Sequence, residues 1–535
     1  MKKILKTIIY LTSLMFFSCH VETQSNADEI QSKIVMNENG AAQLIVNGKP
    51  FIMLAGELHN SSASTVGYTN QLWSSLKALN LNTVLATIAW EQFEPQEGVY
   101  DYTLVDNLIS GARKNDMKLV LLWFASWKNG ESSYIPAWIK RDDTNRFRRV
   151  ITKEGKEIEI ISPFCENTMK ADAKAFAALM RHIKKTDGNT GTVIAMQPEN
   201  EVGIFQDIDY IDISLKKFEQ QVPQELFQFM QNNRTNLREE LSLEWEKQGS
   251  KTSGTWKEVF GNTPSAKNFF TTWQFASYVN YVAKTGRDEY NLPMFVNCWL
   301  VQNPDDLPGV YPNGGPVSRV MDIWKAAAPA IDVLSPDIYL SDFKNIVKDY
   351  HRADNPLLIP EARMREDWAF YAFGEHHALC FAPFGIENGA GNHSFAGAYQ
   401  VLHELMPLIT QYQGSERMIG ILKDPDVYEQ MRTMGNYNLR ITPEKEGVSY
   451  GIIIQTDDHE FIVAGQNLMV SFSSNTEKTG RIMQVFEGGF DNGEWKTTRM
   501  LNGDETYHNA VLRVKGRQTD SSESAGIYKV ITYLR

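Results

Sequence analysis

Eight short apolar segments alternate with helical patterns between about residue 50 and about residue 410, and this alternation constrains the fold more than any other feature. Nearly continuous apolar segments of this length are typical of strands in a parallel sheet whose two faces are covered by helices. Helical patterns lie between most of them, for example over residues 102–115 and 169–185. The eight segments are residues 51–57, 82–90, 118–124, 192–199, 293–299, 332–339, 356–362 and 379–385.

Eight strand–helix units over about 360 residues predict an α/β fold, a (β/α)8 TIM barrel with insertions. The largest insertion, about residues 204–290, lies between the fourth and fifth strands. The alternative is a doubly wound open sheet. Such a sheet usually carries a glycine-rich phosphate loop after its first strand, and this sequence has none there.

The alternation of strand and helix patterns ends with a helical pattern over residues 396–412. Past about Thr442, short strand-like runs are separated by Gly, Asp and Asn turns, which predicts an antiparallel sandwich. We assign residues 41–413 to the barrel and residues 414–535 to a smaller antiparallel β-sandwich domain. Two roles remain open for the sandwich: it binds carbohydrate itself, or it braces the barrel.

The N-terminus has the pattern of an export signal. Lysines at positions 2, 3 and 6 precede an apolar stretch over residues 8–17, which is shorter than the roughly 20 residues of a spanning helix. Ser18 directly before Cys19 resembles a bacterial lipoprotein signal. We therefore expect a signal peptide over residues 1–19, a lipidated Cys19 and a tether over residues 20–40. This predicts a lipid-anchored protein at the bacterial cell envelope, facing the periplasm or the cell surface; the alternative is a plain secretory signal.

Composition excludes some partners. The chain has 53 Lys and Arg against 65 Asp and Glu, a formal net charge of −12, so a nucleic-acid partner, which requires a basic face, is not predicted. Its cysteines and histidines lack metal-site spacing, so we predict no metal and no cofactor. The sequence does not predict the oligomeric state.

Candidate functional residues follow the predicted strands, because catalytic side chains of a barrel project from the C-terminal ends of its strands. The residues at these ends are carboxylates, amides and aromatic rings, a lining that suits a neutral polyhydroxylated ligand such as a sugar. They include Glu57, His59, Trp90, Glu94, Trp127, Glu199, Asn200, Glu201, Asn297, Trp299, Asp337, Tyr339 and Glu361.

Two carboxyl groups facing each other across a pocket are the equipment of a glycosidase: one is protonated and assists the leaving oxygen, and the other is ionised. The fourth and seventh strands lie on opposite sides of a barrel mouth, so their terminal glutamates can flank one bond. The seventh strand supplies Glu361. For the fourth strand, chemistry alone leaves Glu199 and Glu201 open, since residues two apart share one face of an ideal strand.

The motifs resemble a known group of enzymes. "PENEVG" at residues 198–203 is similar to the Asn-Glu signature of retaining glycosidases with (β/α)8 barrels, and "LLIPEAR" resembles their seventh strand. "AWEQFEPQEGVYDY" resembles the second-strand motif of glycoside hydrolase families 35 and 42, and "GELHN" with the C-terminal sandwich favours a bacterial branch of family 35. The resemblance implies that Glu201 is the acid/base, Glu361 the nucleophile and Asn200 a ligand of the sugar 2-OH.

Further residues are candidates for substrate contact, each with a plainer alternative. Tyr339 either hydrogen-bonds the nucleophile or packs, and Glu94 either binds sugar hydroxyls or braces its loop. Glu57, His59 and Asn297 are candidates for sugar contact. Sugar platforms are predicted at four tryptophans, although a tryptophan is more often part of a core: Trp90, Trp127, Trp299 and Trp368.

The resemblance implies a retaining exo-β-galactosidase that removes terminal β-galactosyl residues from plant-type oligo- or polysaccharides. Another retaining glycosidase of the same clan is an alternative, such as a β-glucosidase, an arabinosidase or a mannan-cleaving enzyme. A second alternative is a non-catalytic glycan-binding lipoprotein, against which the presence of both Glu201 and Glu361 argues.

Overall fold

The structure is a computed structural model that describes residues 31–424, 426–518 and 523–535. The predicted signal peptide and Cys19 lie outside these residues. No helix in the described ranges is long and apolar enough to cross a membrane. The strands are β1 Lys33–Met36, β2 Ala42–Val46, β3 Lys49–Phe51, β4 Met53–Glu57, β5 Thr83–Ala89, β6 Lys118–Lys128, β7 Arg149–Ile151, β8 Glu157–Ile161, β9 Val193–Asn200, β10 Phe295–Trp299, β11 Val333–Ile338, β12 Ile359–Ala362, β13 Cys380–Pro383, β14 Met418–Leu422, β15 Gln430–Met434, β16 Tyr437–Pro443, β17 Tyr450–Asp457, β18 Glu460–Gln466, β19 Leu468–Ser474, β20 Gly480–Asp491, β21 Glu494–Leu501, β22 Leu512–Val514, β23 Arg517–Gln518, β24 Glu523–Ser524 and β25 Gly526–Leu534.

The helices lie mainly between the barrel strands and on their outer side. They are α1 Val66–Ala78, α2 Trp90–Phe93, α3 Thr103–Lys114, α4 Ala137–Lys140, α5 Glu166–Asp187, α6 Asp212–Phe218, α7 Gln224–Asn232, α8 Glu239–Lys247, α9 Trp256–Phe260, α10 Pro264–Glu289, α11 Met321–Ala327, α12 Phe343–Tyr350, α13 Glu366–Glu375 and α14 His393–Tyr412.

The predicted (β/α)8 barrel is confirmed. Eight parallel strands run in the order β10-β11-β12-β13-β4-β5-β6-β9. The sheet closes where the N–H of Met196 in β9 donates to the carbonyl oxygen of Pro293, 2.9 Å away, just before β10. The C-terminal ends of all eight strands therefore surround one mouth.

The predicted insertion over residues 204–290 was too long at its C-terminal end. Its last part is α10, which packs along α5 on the outside of the barrel as the helix expected after the fourth barrel strand. Gly286 allows this close packing, since a Cβ there would lie 2.4 Å from the ring of Phe176. Helices α6 to α9 form the inserted part.

The predicted tether over residues 20–40 also extended too far. Residues 33–36 form β1, which pairs with β2 and, through it, with β3 in a small antiparallel sheet. Leu44 and Val46 of this sheet pack against residues at the N-terminal ends of the barrel strands, among them Met53 and Phe295. The small sheet thus covers the end of the barrel opposite the mouth.

The predicted antiparallel C-terminal architecture is confirmed. A six-stranded sheet (β14-β17-β18-β25-β20-β21) and a four-stranded sheet (β15-β16-β19-β22) enclose a second apolar core. Barrel helix α13 packs against β14 and β17, and Phe370 of α13 meets Tyr450 of β17 edge to face with ring centroids 4.8 Å apart. The two regions are therefore in direct contact.

Candidate active site

A cavity of about 270 Å³ opens at the C-terminal ends of the barrel strands. Its lining combines carboxyl groups with amides and an apolar rim, which matches the predicted sugar-binding character. It includes Glu201 after β9 and Glu361 in β12, so the structure brings the two predicted catalytic glutamates to one cavity. The lining residues are Asn129, Glu201, Trp299, Leu300, Gln302, Asp337, Tyr339, Leu340 and Glu361.

The backbone at the end of β9 decides which glutamate enters this cavity. Glu199 and Glu201 both have positive φ, 65° and 43°, which non-glycine residues rarely adopt and which occurs disproportionately at functional sites. The ideal alternation along the strand is broken there. Glu201 lines the cavity, whereas Glu199 accepts the backbone N–H groups of Ser126 (3.2 Å) and Trp127 (2.8 Å).

Glu199 belongs to a buried network behind the site. Burial, and then the charge of Asp172, raise the pKa of Glu199 well above its usual range, so Glu199 is the protonated member and donates to Asp172. Asp172 also accepts from the Ser126 hydroxyl at 2.7 Å and from the Trp123 indole at 2.9 Å. Glu199 therefore holds the C-terminal end of β6 in place.

This network gives a testable expectation for Glu199→Gln. A glutamine has one acceptor oxygen, so one of the two backbone N–H groups would be left unpaired in the interior. We expect a loss of about 1–3 kcal/mol in the free energy of unfolding. Chemical denaturation of the variant beside wild type measures it, and an unchanged midpoint would contradict the assignment.

Glu201 lies in an electrostatic environment suited to proton transfer. It is 6% exposed. Burial, followed by the charge of Glu361, raises the pKa of Glu201 to about 7. The positive charge of Lys128 and a hydrogen bond from Asp337 act in the opposite direction. A carboxyl group with a pKa near neutrality can both give and take a proton at physiological pH.

Asp337 is a third carboxyl group on the cavity, beside Glu201 and Glu361. Burial, and then the charges of Glu361 and Glu201, raise the pKa of Asp337 well above its usual range. Its Oδ2 accepts from the Asn297 amide at 2.8 Å. The raised pKa favours a protonated Asp337, which adds no negative charge beside Glu201.

Asn297 connects the parts of the site. Its Oδ1 accepts the backbone N–H of Glu201 at 3.0 Å, and its Nδ2 donates to Asn200 Oδ1 (3.1 Å) as well as to Asp337. Asn200 Oδ1 also accepts from Gln197 Nε2 at 2.9 Å. These bonds fix the Asn200 amide so that its Nδ2 points toward Asn129 Oδ1, 3.5 Å away on the cavity lining. Asn297 is thus placed to position other residues rather than to bind sugar itself.

Glu361 is held from one side. The Tyr339 hydroxyl donates to Glu361 Oε1 at 2.6 Å. Within the described residues, the buried Glu361 Oε2 has no hydrogen-bond partner. Tyr339 thus makes the contact expected of it and leaves the second carboxylate oxygen available to a reacting atom.

Glu57 at the end of β4 belongs electrostatically to the same cluster. It is 1% exposed, and burial, followed by the charge of Glu361, raises its pKa well above the usual range. The positive charge of Lys128, at the end of β6, lowers the pKa of both Glu57 and Glu201. One ammonium group therefore stabilises the ionised form of both carboxyl groups. Sequence reasoning missed Lys128, although its position at the end of a barrel strand was a usable signal.

Glu94 and His59 form hydrogen bonds within the segments that surround the barrel mouth. The oxygens of Glu94 accept from Trp90 Nε1 (2.7 Å) and from the Gly98 N–H (2.6 Å), which is the loop-bracing alternative rather than sugar contact. His59 Nε2 lies 2.8 Å from Asn388 Nδ2, in the segment after β13. Neither residue lines the cavity.

The predicted sugar platforms are wrong for three of the four tryptophans. Trp90 and Trp127 have no exposed surface and pack in the barrel core, and Trp368 stacks on Phe343 at 4.5 Å. Trp299 does line the cavity and meets Phe205 edge to face at 6.0 Å. A single tryptophan therefore remains as a sugar platform from the predicted set.

Comparisons with known proteins give matches over parts of the chain. Residues 43–281 match the family model of glycosyl hydrolases family 35, and residues 395–513 match a domain of unknown function (DUF5597). A β-galactosidase of Xanthomonas manihotis is 26% identical over 172 residues, 31% of this chain and 26% of that protein. A β-galactosidase-1-like protein of Mus musculus is 24% identical over 189 residues, 34% of this chain and 26% of that protein. The match thus spans about a quarter of the length of each relative.

The solved structures that match this chain include a β-amylase domain and two β-galactosidases. The catalytic domain of a β-amylase from Paenibacillus polymyxa has a TM-score of 0.43 at 11% identity and covers 63% of this chain and 93% of that one. A β-galactosidase from Halorubrum lacusprofundi has a TM-score of 0.45 at 14% identity, and the match covers 66% of this chain and 58% of that one. The match to the glycosyl hydrolases family 35 model covers residues 43–281, which include β9 and Glu201 but end before Glu361.

Proposed function

We propose that the protein is a retaining exo-β-galactosidase. The observation that carries the proposal is the placement of Glu201 and Glu361 on one cavity at the barrel mouth, in a chain whose barrel begins with a family 35 domain. Both curated relatives carry β-galactosidase in their names, which supports galactose as the sugar.

The proposed reaction is a double displacement. Glu361 Oε2 attacks the anomeric carbon while the Tyr339 hydroxyl holds Oε1, and Glu201 protonates the departing glycosidic oxygen. The leaving group departs and a galactosyl ester of Glu361 remains. Glu201, now ionised, takes a proton from water, whose oxygen attacks the same carbon and releases Glu361. Asn200 Nδ2 is the donor proposed for the sugar 2-OH.

Hydrolysis of 4-nitrophenyl β-galactoside, followed by proton NMR, tests both the sugar and the stereochemistry. We expect β-galactose as the first anomer to appear, before mutarotation. First appearance of α-galactose would rule out retention. A silent wild type on this substrate, with turnover of another 4-nitrophenyl glycoside, would replace galactose by that sugar.

The pH profile provides a further prediction. Glu201 must be protonated for the first step, so kcat/KM is expected to fall as pH rises through about 7, the pKa of Glu201. Lys128→Met removes a positive charge that lowers this pKa. The basic limb should therefore move to higher pH, whereas Lys128→Arg should leave it nearly in place. A limb that stays fixed in Lys128→Met would contradict the assignment of Glu201 as the titrating acid.

We propose further that the substrate is a galactosylated plant-type oligo- or polysaccharide. A separate proposal concerns the location: the enzyme is anchored by lipid at Cys19 on the cell envelope. Ser18 directly before Cys19 supports the anchor. Cys19→Ala should move the protein from the membrane fraction to the soluble fraction. An unchanged distribution between the two fractions would contradict the anchor.

A further inference from the structure

A larger depression on the barrel rim adjoins the active-site cavity. This depression, the rim groove, has a volume of about 550 Å³ and is lined by the segment after β10 and by the loop and helix α12 after β11. It shares Leu300, Gln302 and Leu340 with the active-site cavity. These three side chains border both spaces, which are therefore neighbours on the same rim.

On another side of the mouth, hydrogen bonds join two segments of the rim. The Ser62 hydroxyl donates to Glu387 Oε1 at 2.5 Å, and the His59 backbone N–H donates to the same oxygen at 3.1 Å. Together with the contact between His59 and Asn388, these bonds link the segment after β4 to the segment after β13. The groove lies away from this tie, at β10 and β11.

We propose that the rim groove binds the leaving-group part of the substrate, and that this part is a neutral oligosaccharide of about two sugar units. This inference rests on the proposed galactosidase function. The active-site cavity of about 270 Å³ lies just below the roughly 300–1,000 Å³ of typical ligand pockets, which suits one sugar ring. The groove has about twice that volume, 550 against 270 Å³.

The lining of the groove supports a neutral occupant. Aliphatic side chains such as Val301, Val317 and Ile346 offer surfaces for the C–H faces of sugar rings. The charged lining residues are one cation, Arg319, and two anions, Asp342 and Asp349, so an acidic glycan would meet a net negative surface.

The charged groups are also engaged with neighbours. Arg319 lies 3.8 Å from Glu240, and Asp349 lies 3.6 Å from Arg238. Asp342 accepts from the Asn345 amide at 2.9 Å. Such partnered groups can still accept hydrogen bonds from sugar hydroxyls but supply no free cation for a carboxylate ligand.

Asn345→Trp tests the groove. Asn345 is exposed on α12 and lines the groove but not the active-site cavity, so a tryptophan there should fill the groove without touching the glutamates. The matched control is Lys348→Trp, an exposed position on the same helix that lines neither space. Thermal unfolding of both variants establishes that they are folded.

The substrates are a panel of β-galactosides whose leaving groups are 4-nitrophenol, one neutral sugar, or a chain of three neutral sugars, with a uronic-acid-containing chain as the anionic counterpart. We expect wild type to prefer the neutral chains over the acidic one. Asn345→Trp should lower kcat/KM on the best neutral chain by at least about tenfold, with less than a twofold change on 4-nitrophenyl β-galactoside. Lys348→Trp should change neither. Equal losses on both substrates in Asn345→Trp, or no loss on either, would overturn the proposal, as would a preference for the acidic chain.

A second measurement separates failure of the groove from failure of the proposed function. If wild type releases galactose from no member of the panel, the proposed function is wrong, and calorimetry with the galactose-free neutral trisaccharides then decides about the groove. Binding that Asn345→Trp abolishes and Lys348→Trp retains would support an oligosaccharide site. Absence of binding to wild type would overturn it.

Discussion

Glu361→Gln is expected to lower kcat on 4-nitrophenyl β-galactoside by roughly 10⁴–10⁶-fold, the range seen when the nucleophile of a covalent mechanism is removed. Glutamine has nearly the shape of glutamate and can still accept the Tyr339 hydroxyl bond, now made at 2.6 Å to Oε1. Its amide cannot form the glycosyl ester. The loss should therefore appear in kcat with the fold intact, which stopped-flow or long end-point assays beside thermal unfolding can measure.

Glu91→Gln is the matched control for this variant. Glu91 is an exposed glutamate of the rim that pairs with Lys140 at 2.8 Å and does not line the cavity. Exposed pairs contribute little to stability, so activity should stay within about twofold of wild type. Activity of Glu361→Gln above about one per cent of wild type, verified in independent preparations, would remove Glu361 from the role of nucleophile.

Glu201→Gln should show a loss that depends on the leaving group. Substrates with a sugar leaving group need a proton from Glu201, and we expect their kcat/KM to fall by roughly 10²–10⁴-fold. The 2,4-dinitrophenolate ion departs without a proton, so kcat/KM on its galactoside should fall far less. The basic limb of the pH profile near 7 should disappear in this variant, since the group that produces it is gone.

Glu199→Gln is the control for Glu201→Gln, because the same substitution two residues earlier touches the network around Asp172 instead of the cavity. Any loss of kcat/KM relative to wild type in Glu199→Gln should be the same for the sugar and the 2,4-dinitrophenyl leaving groups. A leaving-group dependence in Glu199→Gln, with none in Glu201→Gln, would mean that the acid/base had been assigned to the wrong member of this pair.

The barrel was predictable from the sequence because apolar strand segments and helical patterns alternate regularly along the chain. Each of the eight apolar segments became a parallel strand, and the residues after them met at one mouth. Boundaries were less accurate where a neighbouring strand continues the same apolar run. Phe51 was assigned to the first barrel strand but belongs to β3, which pairs with β2. Composition alone does not distinguish the two.

Several features of the site were out of reach because they depend on contacts distant in sequence. Residue chemistry left the choice between Glu199 and Glu201 open, and only the resemblance of the motif favoured Glu201. The two positive φ angles that direct these side chains apart were not predicted. Trp90 and Trp127 follow strands as platform residues would, yet their indoles turn into the core to reach Glu94 and the Ile161 carbonyl. Position after a strand predicts nearness to the mouth but not the direction of the side chain.

The small sheet of β1, β2 and β3 has a consequence for how substrate arrives. It packs against the N-terminal ends of the barrel strands, so the chain enters the fold on the face opposite the cavity. A lipid at Cys19, as proposed above, would therefore be attached through residues that precede the small sheet, on the side away from the mouth. Such an attachment would leave the approach of a glycan chain to the mouth unobstructed.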